Sequence, residues 1–214
     1  MAMLVPELSL MHADVGASLL CRVFGFAPDG GLFRSGSQAV RIVQSETAEP
    51  HGRIDHIAIA VPDIDRALAA MQAQGAMLDA GITPEGVGEI AEFWDGGIRY
   101  VFLSGPEGAR IELCQRKIGT LAQIGHDHVG IPCRDISAMQ GFFEAQGAKL
   151  MSAVELVRAD GAIPVRFLAF AGGVIELYAP QTAAHPERGL WSRLLVEGLA
   201  AEVIGPDGLM LAPL

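Results

Sequence analysis

Between residues 54 and 61 (IDHIAIAV) apolar side chains alternate along the chain. Ile57, Ile59 and Val61 mark one face of a strand rich in β-branched residues. Asp63 follows at the position where a carboxylate can accept from the first free amides of a helix. Ile64, Ala67, Leu68 and Met71 then recur at helical spacing, and Gly75 supplies the left-handed residue that ends a helix. Residues 127–150 show the same order: Val129, Ile131 and Cys133 alternate, Asp135 takes the cap position, Ile136, Met139, Phe142 and Phe143 follow at helical spacing, and Gly147 closes. Strand-like runs come after each helix, IRYVFL and ARIELCQ in the first case, IPVRFLAF and GVIELYA in the second. The pattern predicts two βαβββ modules, over residues 53–116 and 125–180, with the second strand of each the least marked.

The ends carry weaker versions of this unit. In residues 1–48, Leu8 and Leu10 fall where Ile57 and Ile59 do, at an offset of 49, and Asp14 falls on Asp63. A helix through Val15–Phe24 and a hairpin from GLFRSG into QAVRIV make this a degenerate, shortened βαββ module. In the tail, residues 181–214, Leu190, Leu194, Leu195 and Leu199 predict a helix, and Gly205-Pro206-Asp207-Gly208 a hairpin turn. One reading makes the tail a fourth, truncated unit that completes the sheet of the first. Residues 45–52 (SETAEPHG) read as a linker.

The two full modules are copies. Residues 55–78 lie without gaps on residues 127–150, and ten of the 24 positions are identical. Further on, Phe102-Leu103 matches Phe167-Leu168, and Ile111-Glu112-Leu113 matches Ile175-Glu176-Leu177. Each copy thus holds one histidine (His56, His128) and one glutamate (Glu112, Glu176) at corresponding places. Strand parity puts His56 on the face of Ala58 and Ala60, and His128 on that of Gly130 and Pro132, away from the helix and among small residues that leave room for a ligand. The flanking apolar residues turn Glu112 and Glu176 to the opposite face in the same way. A carboxylate facing a partly apolar concavity is costly unless it is paired or metal-bound. An isolated histidine at a strand start is usually structural. Recurrence of both residue types at both repeat positions favours a metal site, and two imidazoles with two carboxylates suit a first-row divalent ion. His126 shares the face of His128 by parity, either as a further ligand or proton carrier or as a partly exposed neighbour. His12, His51 and His185 lack repeat partners and read as surface residues. Cys133 reads as core, and Cys114, on the face of Glu112, as a residue that could line a cleft.

Paired units that open with DHIxIxVxDI and close with IEL resemble the vicinal oxygen chelate superfamily, which includes glyoxalase I, methylmalonyl-CoA epimerase, extradiol dioxygenases and fosfomycin or bleomycin resistance proteins. The resemblance spans residues 53 to 180. It implies an α+β fold in which tandem modules bend their sheets into a U-shaped, half-open cleft. It also implies one divalent ion (Zn, Ni, Co, Mn or Fe) held by His56, Glu112, His128 and Glu176.

Composition narrows the choice of partners. The chain has 214 residues, half of them hydrophobic, with 26 glycines, which fits a packed globular protein. A formal charge of −10 argues against nucleic acid and anionic membrane surfaces, and no apolar stretch is long enough to span a bilayer. Three cysteines without paired spacing suggest free thiols in a reducing compartment. The first twenty residues contain Glu7 and Asp14 and no Lys or Arg, unlike a signal peptide, so a cytoplasmic location is expected.

The leading expectation is a glyoxalase-like, metal-dependent lyase or isomerase. Its partner would be a small molecule with vicinal oxygens, from which a proton next to a carbonyl is removed to give an enediolate or enolate. Glu176 and Glu112 are the candidate acid–base residues, with Glu176 favoured as the mobile base because Val174 and Tyr178 share its face. Trp94, Tyr100 and Tyr178 are candidates for the substrate wall, with Phe93 beside them. A glutathione or coenzyme A substrate would need cationic anchors, for which Arg53, Arg99, Arg110, Arg158 and Arg166 are available, Arg110 foremost because it shares the face of Glu112. An extradiol-type Fe(II) dioxygenase using His56, His128 and Glu176 is the alternative. The resemblance then implies a tyrosine and an Asp-Pro-x-Gly turn before the last glutamate, and FLAFAGGVIE before Glu176 has neither. A metal-free binding or sequestration protein is a third reading. Relatives often build the cleft across a dimer, so a homodimer is also an expectation.

Overall fold

The computed structural model describes residues 2–119, 123–158, 161–180 and 189–214. The N-terminal unit consists of β1 (Leu4–Leu10), α1 (Ala13–Phe24), β2 (Ala27–Asp29), β3 (Leu32–Ser35) and β4 (Gln38–Gln44). The three-residue β2 is an addition to the expected βαββ order. Residues 45–52 contain neither helix nor strand. The first full module follows as β5 (His56–Ala60), α2 (Ile64–Ala73), β6 (Met77–Leu78), β7 (Gly88–Ile90), β8 (Ile98–Ser104) and β9 (Arg110–Arg116). The second is β10 (Gly125–Pro132), α3 (Ile136–Ala145), β11 (Lys149–Arg158), β12 (Gly161–Phe170) and β13 (Gly173–Tyr178). The tail supplies β14 (Trp191–Val196), β15 (Val203–Ile204) and β16 (Met210–Pro213).

Both anticipated caps form. The Asp63 carboxylate accepts from the Arg66 amide, and that of Asp135 from the amides of Ser137 and Ala138, each worth about 1 kcal/mol to its helix. The helix-facing residues Ile57, Ile59 and Val61, with Val129, Ile131 and Cys133, are buried in one core together with Ile64, Met71, Met139 and Phe143.

The chain is α+β and forms two sheets. One has the order β15-β16-β14-β1-β4-β3-β2; the other runs β11-β12-β13-β10-β5-β9-β8-β6, with β7 on β8. In each of the four units the first strand pairs in parallel with the last: β1 with β4, β5 with β9, β10 with β13, and β14 with β16. Units join in twos through antiparallel contacts of their first strands, β5 with β10 and β1 with β14.

The helix expected in the tail is absent: Leu190, Leu194 and Leu195 are buried, and the latter two lie in β14. A strand covered on both faces shows a continuous apolar run, Leu194-Leu195-Val196, in place of alternation, and short runs of this kind mimic helical spacing. The hairpin at Gly205–Gly208 does form, pairing β15 with β16.

The two sheets are locked together reciprocally. The turn Gly105-Pro106-Glu107-Gly108 precedes β9, and Gly205-Pro206-Asp207-Gly208 precedes β16. Glu107 and Asp207 both take left-handed backbone angles, with φ of 52° and 54°. The Glu107 carboxylate accepts from the amides of Met11 and His12, just before α1, at 3.0 and 2.7 Å. The Asp207 carboxylate accepts from the Arg134 amide, just before α3, at 3.0 Å. Each turn thus places negative charge at a helix start in the other sheet, where the helix dipole favours it. No helix among the described residues is long and apolar enough to cross a membrane.

Candidate metal centre

The β5–β10 junction brings the four repeated polar residues together. In register, Ala58 lies beside Glu112 on one neighbouring strand and His128 on the other, while Gly130 lies beside Glu176 and His56. The small side chains therefore leave space that the four ligand candidates themselves fill. His56 Nε2 is 3.2 Å from His128 Nε2, 3.4 Å from a Glu112 oxygen and 3.5 Å from a Glu176 oxygen. His128 Nε2 is 3.1 Å and 3.3 Å from the same two carboxylates. Donor atoms that share one small cation at about 2.1 Å stand roughly 3.4 Å apart, as these five separations do. The sets that lie within 4.8 Å throughout are His56, His128 and Glu176, and Glu112, Cys114 and His128. All four side chains are buried, with exposures of 2% to 6%. Two imidazoles and two carboxylates, with no lysine or arginine among the described residues paired to them, fit a first-row divalent ion.

Each histidine is oriented by the aspartate before it. Asp55 faces His56 Nδ1 at 3.0 Å, and Asp127 faces His128 Nδ1 at 2.8 Å. Nδ1 donates to the carboxylate and Nε2 is left toward the centre, the arrangement in which outer carboxylates fix ligand histidines. Arg110 backs Asp55, pairing with it and, through Nε, with Asp79 at 3.1 Å. These aspartates escaped the sequence reading although Asp-His recurs at both repeat positions. That repeated dipeptide was the available signal.

The charges are mutually supporting. Burial alone would raise the Glu176 carboxyl, but the charges and hydrogen bonds of His128 and His56 together outweigh it and hold the group at about 2. Burial likewise opposes the charged form of His56 and His128, and the surrounding carboxylates push both well above the ordinary histidine value.

Aromatic rings wall the centre. The His128 ring is 5.8 Å from Phe167, which is 4.7 Å from Trp94 and 5.0 Å from Phe93. The His56 ring is 5.0 Å from Phe102 and 6.3 Å from Tyr178, and Tyr100 is 6.1 Å from Phe102. Trp94 has φ of 53°, a left-handed conformation that costs a bulky residue about 1–3 kcal/mol, so its position over Phe167 is enforced by its surroundings. Cys114 is buried, with its sulfur within 4.8 Å of donor atoms of Glu112 and His128, so it belongs to the wall of the site. A cavity of about 630 Å³ reaches this wall, lined by Ala60, Cys114, Arg116 and Asp127 among others.

His126 departs from expectation. A bulge between His126 and His128 breaks the parity that would have aligned them. Nδ1 of His126 instead contacts the Gln38 side-chain oxygen, Oε1, at 2.8 Å, and Nε2 accepts from the Val174 amide at 2.9 Å. Burial, aided by the His128 charge, lowers its pKa from 6.5 to about 4. For a histidine depressed in this way the unfolded chain binds the proton more tightly. Stability is therefore intact above pH 6.5 and is lost as pH falls from there to about 4, by up to roughly 3 kcal/mol. Urea unfolding of chelator-treated protein at pH 7 and 4.5 should show a smaller acid loss for His126→Gln than for the wild type; equal losses would refute this role. Of the unpaired histidines, His12 is exposed and His185 lies outside the described residues. His51 is half-buried, contrary to a surface position, with Nδ1 in contact with no partner among the described residues.

No known protein-family model matches the chain, and no curated protein matches it in sequence. Solved structures do match in fold. Glyoxalase I from Zea mays superposes with a TM-score of 0.72 at 15% identity, covering 99% of this chain and 91% of that one. A Bacillus subtilis protein with a proposed dioxygenase assignment gives a TM-score of 0.63 at 11% identity, covering 97% and 82%. The chain shares the α+β fold of these solved structures. Its His/Glu cluster is a group that could hold a metal ion.

Proposed function

We propose that this chain is a metal-dependent lyase or isomerase of the glyoxalase or epimerase kind, acting on a small molecule with vicinal oxygens. The observation that carries the reading is the set of four buried donors, His56, Glu112, His128 and Glu176, converging with separations of 3.1–3.5 Å. A divalent ion bound there would polarise the substrate oxygens as a Lewis acid. Glu176 takes the proton from the carbon next to the carbonyl and returns it. Glu112, with the Cys114 thiol against it, stays in place. Asp55 and Asp127 keep both imidazoles facing inward, and Arg110 serves as a positioning residue for Asp55. Phe102, Phe167 and Trp94 exclude water, which strengthens each charge interaction inside the cleft. The free thiols of Cys21, Cys114 and Cys133 support a reducing, cytoplasmic setting.

A second reading rests on the subset His56, His128 and Glu176, whose donor atoms lie within 4.8 Å of one another and supply the two-histidine, one-carboxylate set of Fe(II) dioxygenases. Glu112 weighs against it by filling a position that oxygen chemistry needs open.

Two measurements decide between them. Protein purified without chelator should carry about one equivalent of Zn, Ni, Co or Mn per chain. In deuterated water it should also exchange the hydrogen next to the carbonyl of an α-oxo or α-hydroxycarbonyl substrate. Oxygen-sensitive iron without exchange would favour the dioxygenase, and absence of both metal uptake and exchange would leave a binding cleft.

A further inference from the structure

The five arginines available to anchor a large anionic conjugate are committed elsewhere. Arg99 forms a two-pronged pair with Asp65 at 2.7 and 2.9 Å. Arg110 is held by Asp55 and Asp79. Arg158 is 3.5 Å from Glu92, Arg166 donates to the Gln140 side chain, and Arg53 donates to the Gly208 carbonyl at 2.9 Å. Lys117, on the wall of the cavity, pairs with Glu89 at 2.9 Å. Arg116 differs, with its guanidinium stacked 4.1 Å above the Trp94 ring. It stands at the outer end of a continuous row: Arg116, Trp94, Phe167, His128. Around this row the cleft is apolar, with Val154, Leu156, Ile163, Val165 and Val174 packed in the same cluster.

Resting on the lyase or isomerase reading, we infer that the substrate is a free carbonyl compound with an aromatic or branched apolar body and at most one carboxylate, not a thioester or thioether conjugate of glutathione or coenzyme A. The carbonyl end faces the four ligand candidates. The apolar body lies over Trp94 and the partly buried Val154, Leu156 and Ile163, with Phe167 behind them at 1% exposure. A ring contact with Trp94 adds about 0.5–1.5 kcal/mol beyond burial. Arg116 pairs with the single carboxylate at the mouth. Among the described residues a polyanionic conjugate finds no second cation there that is not already neutralised, and breaking an existing ion pair to provide one strands a carboxylate.

Calorimetric titration of the full chain, preloaded with Zn²⁺, tests this with two probes that share a benzene ring: phenylpyruvate and S-benzylglutathione. Phenylpyruvate should bind at least tenfold more tightly. Arg116→Gln, a change at an exposed side chain, should weaken phenylpyruvate about tenfold while leaving a neutral analogue, 1-phenylpropane-1,2-dione, within twofold. Tighter binding of S-benzylglutathione, no binding of phenylpyruvate, or equal loss of both ketones in Arg116→Gln would each overturn the inference. Because binding is read without turnover, these outcomes stay separate from failure of the lyase or isomerase reading. That failure would appear as absent hydrogen exchange in a protein that still binds phenylpyruvate.

Discussion

Replacing His56 with alanine should abolish stoichiometric metal binding, and Glu176→Ala should do the same. Both carboxylates lie 3.1–3.5 Å from both histidine Nε2 atoms, and each of the four residues is buried at 2% to 6% exposure, so water cannot readily supply a substitute from outside. Losing one ligand of four also breaks the outer shell. Without the His56 imidazole, Asp55 loses the ring nitrogen it orients and keeps its pair with Arg110. An affinity loss of more than 1,000-fold is expected, about 4 kcal/mol or more. Elemental analysis after dialysis against Zn²⁺ would read it directly, with circular dichroism to verify folding. Retention of one equivalent by both folded variants would remove the metal assignment and, with it, the proposed function.

The second large effect is expected at a residue with no functional group. Gly130 lies opposite His56 in the β5–β10 pairing, and a Cβ there would stand 2.0 Å from His56 Cε1 and 2.4 Å from Nε2. No rotation of an alanine methyl relieves such an overlap. The His56 ring must leave, although its Nδ1 is tied to Asp55 and Phe102 packs at 5.0 Å. Gly130→Ala should therefore weaken metal binding by about 100-fold or more, comparable with the stronger outer-shell substitutions at metal sites. The fold should survive, since the backbone at Gly130 is ordinary strand and the clash is with one side chain. Ala58 is a built-in comparison: it occupies the matching place in the first module and already carries a Cβ. Wild-type metal affinity in a folded Gly130→Ala protein would mean that His56 is not held where the structure puts it.

Much of this was legible in the residues. The duplicated Asp-His strand start, the Asp63 and Asp135 caps and the Ile-Glu-Leu strands fixed two modules and four ligand candidates, because period-two burial and capping are local rules. What stayed hidden was set by partners distant in the chain. β14 looked helical because Leu194, Leu195 and Val196 are all buried and do not alternate, and only its pairing with β1 and β16 makes it a strand. The bulge beside His126 depends on β5, and parity from sequence assumes an unbroken ladder. The arginines read as available anchors because their carboxylate partners lie 34 to 66 residues away in several cases. Glu7 likewise fell where a histidine would stand, and it is buried in an ion pair with Arg193 at 2.8 Å, with Ser192 Oγ at 3.1 Å. The second sheet thus closes with a salt bridge the place where the first gathers its donors.

The antiparallel junction of β5 with β10 has a consequence at the level of the population. All four ligand candidates come from a single polypeptide, so the donor set itself is assembled within one chain. Specific activity should be indifferent to dilution. If the proposed activity resides in that donor set, a damaged chain should not lower the output of an intact one.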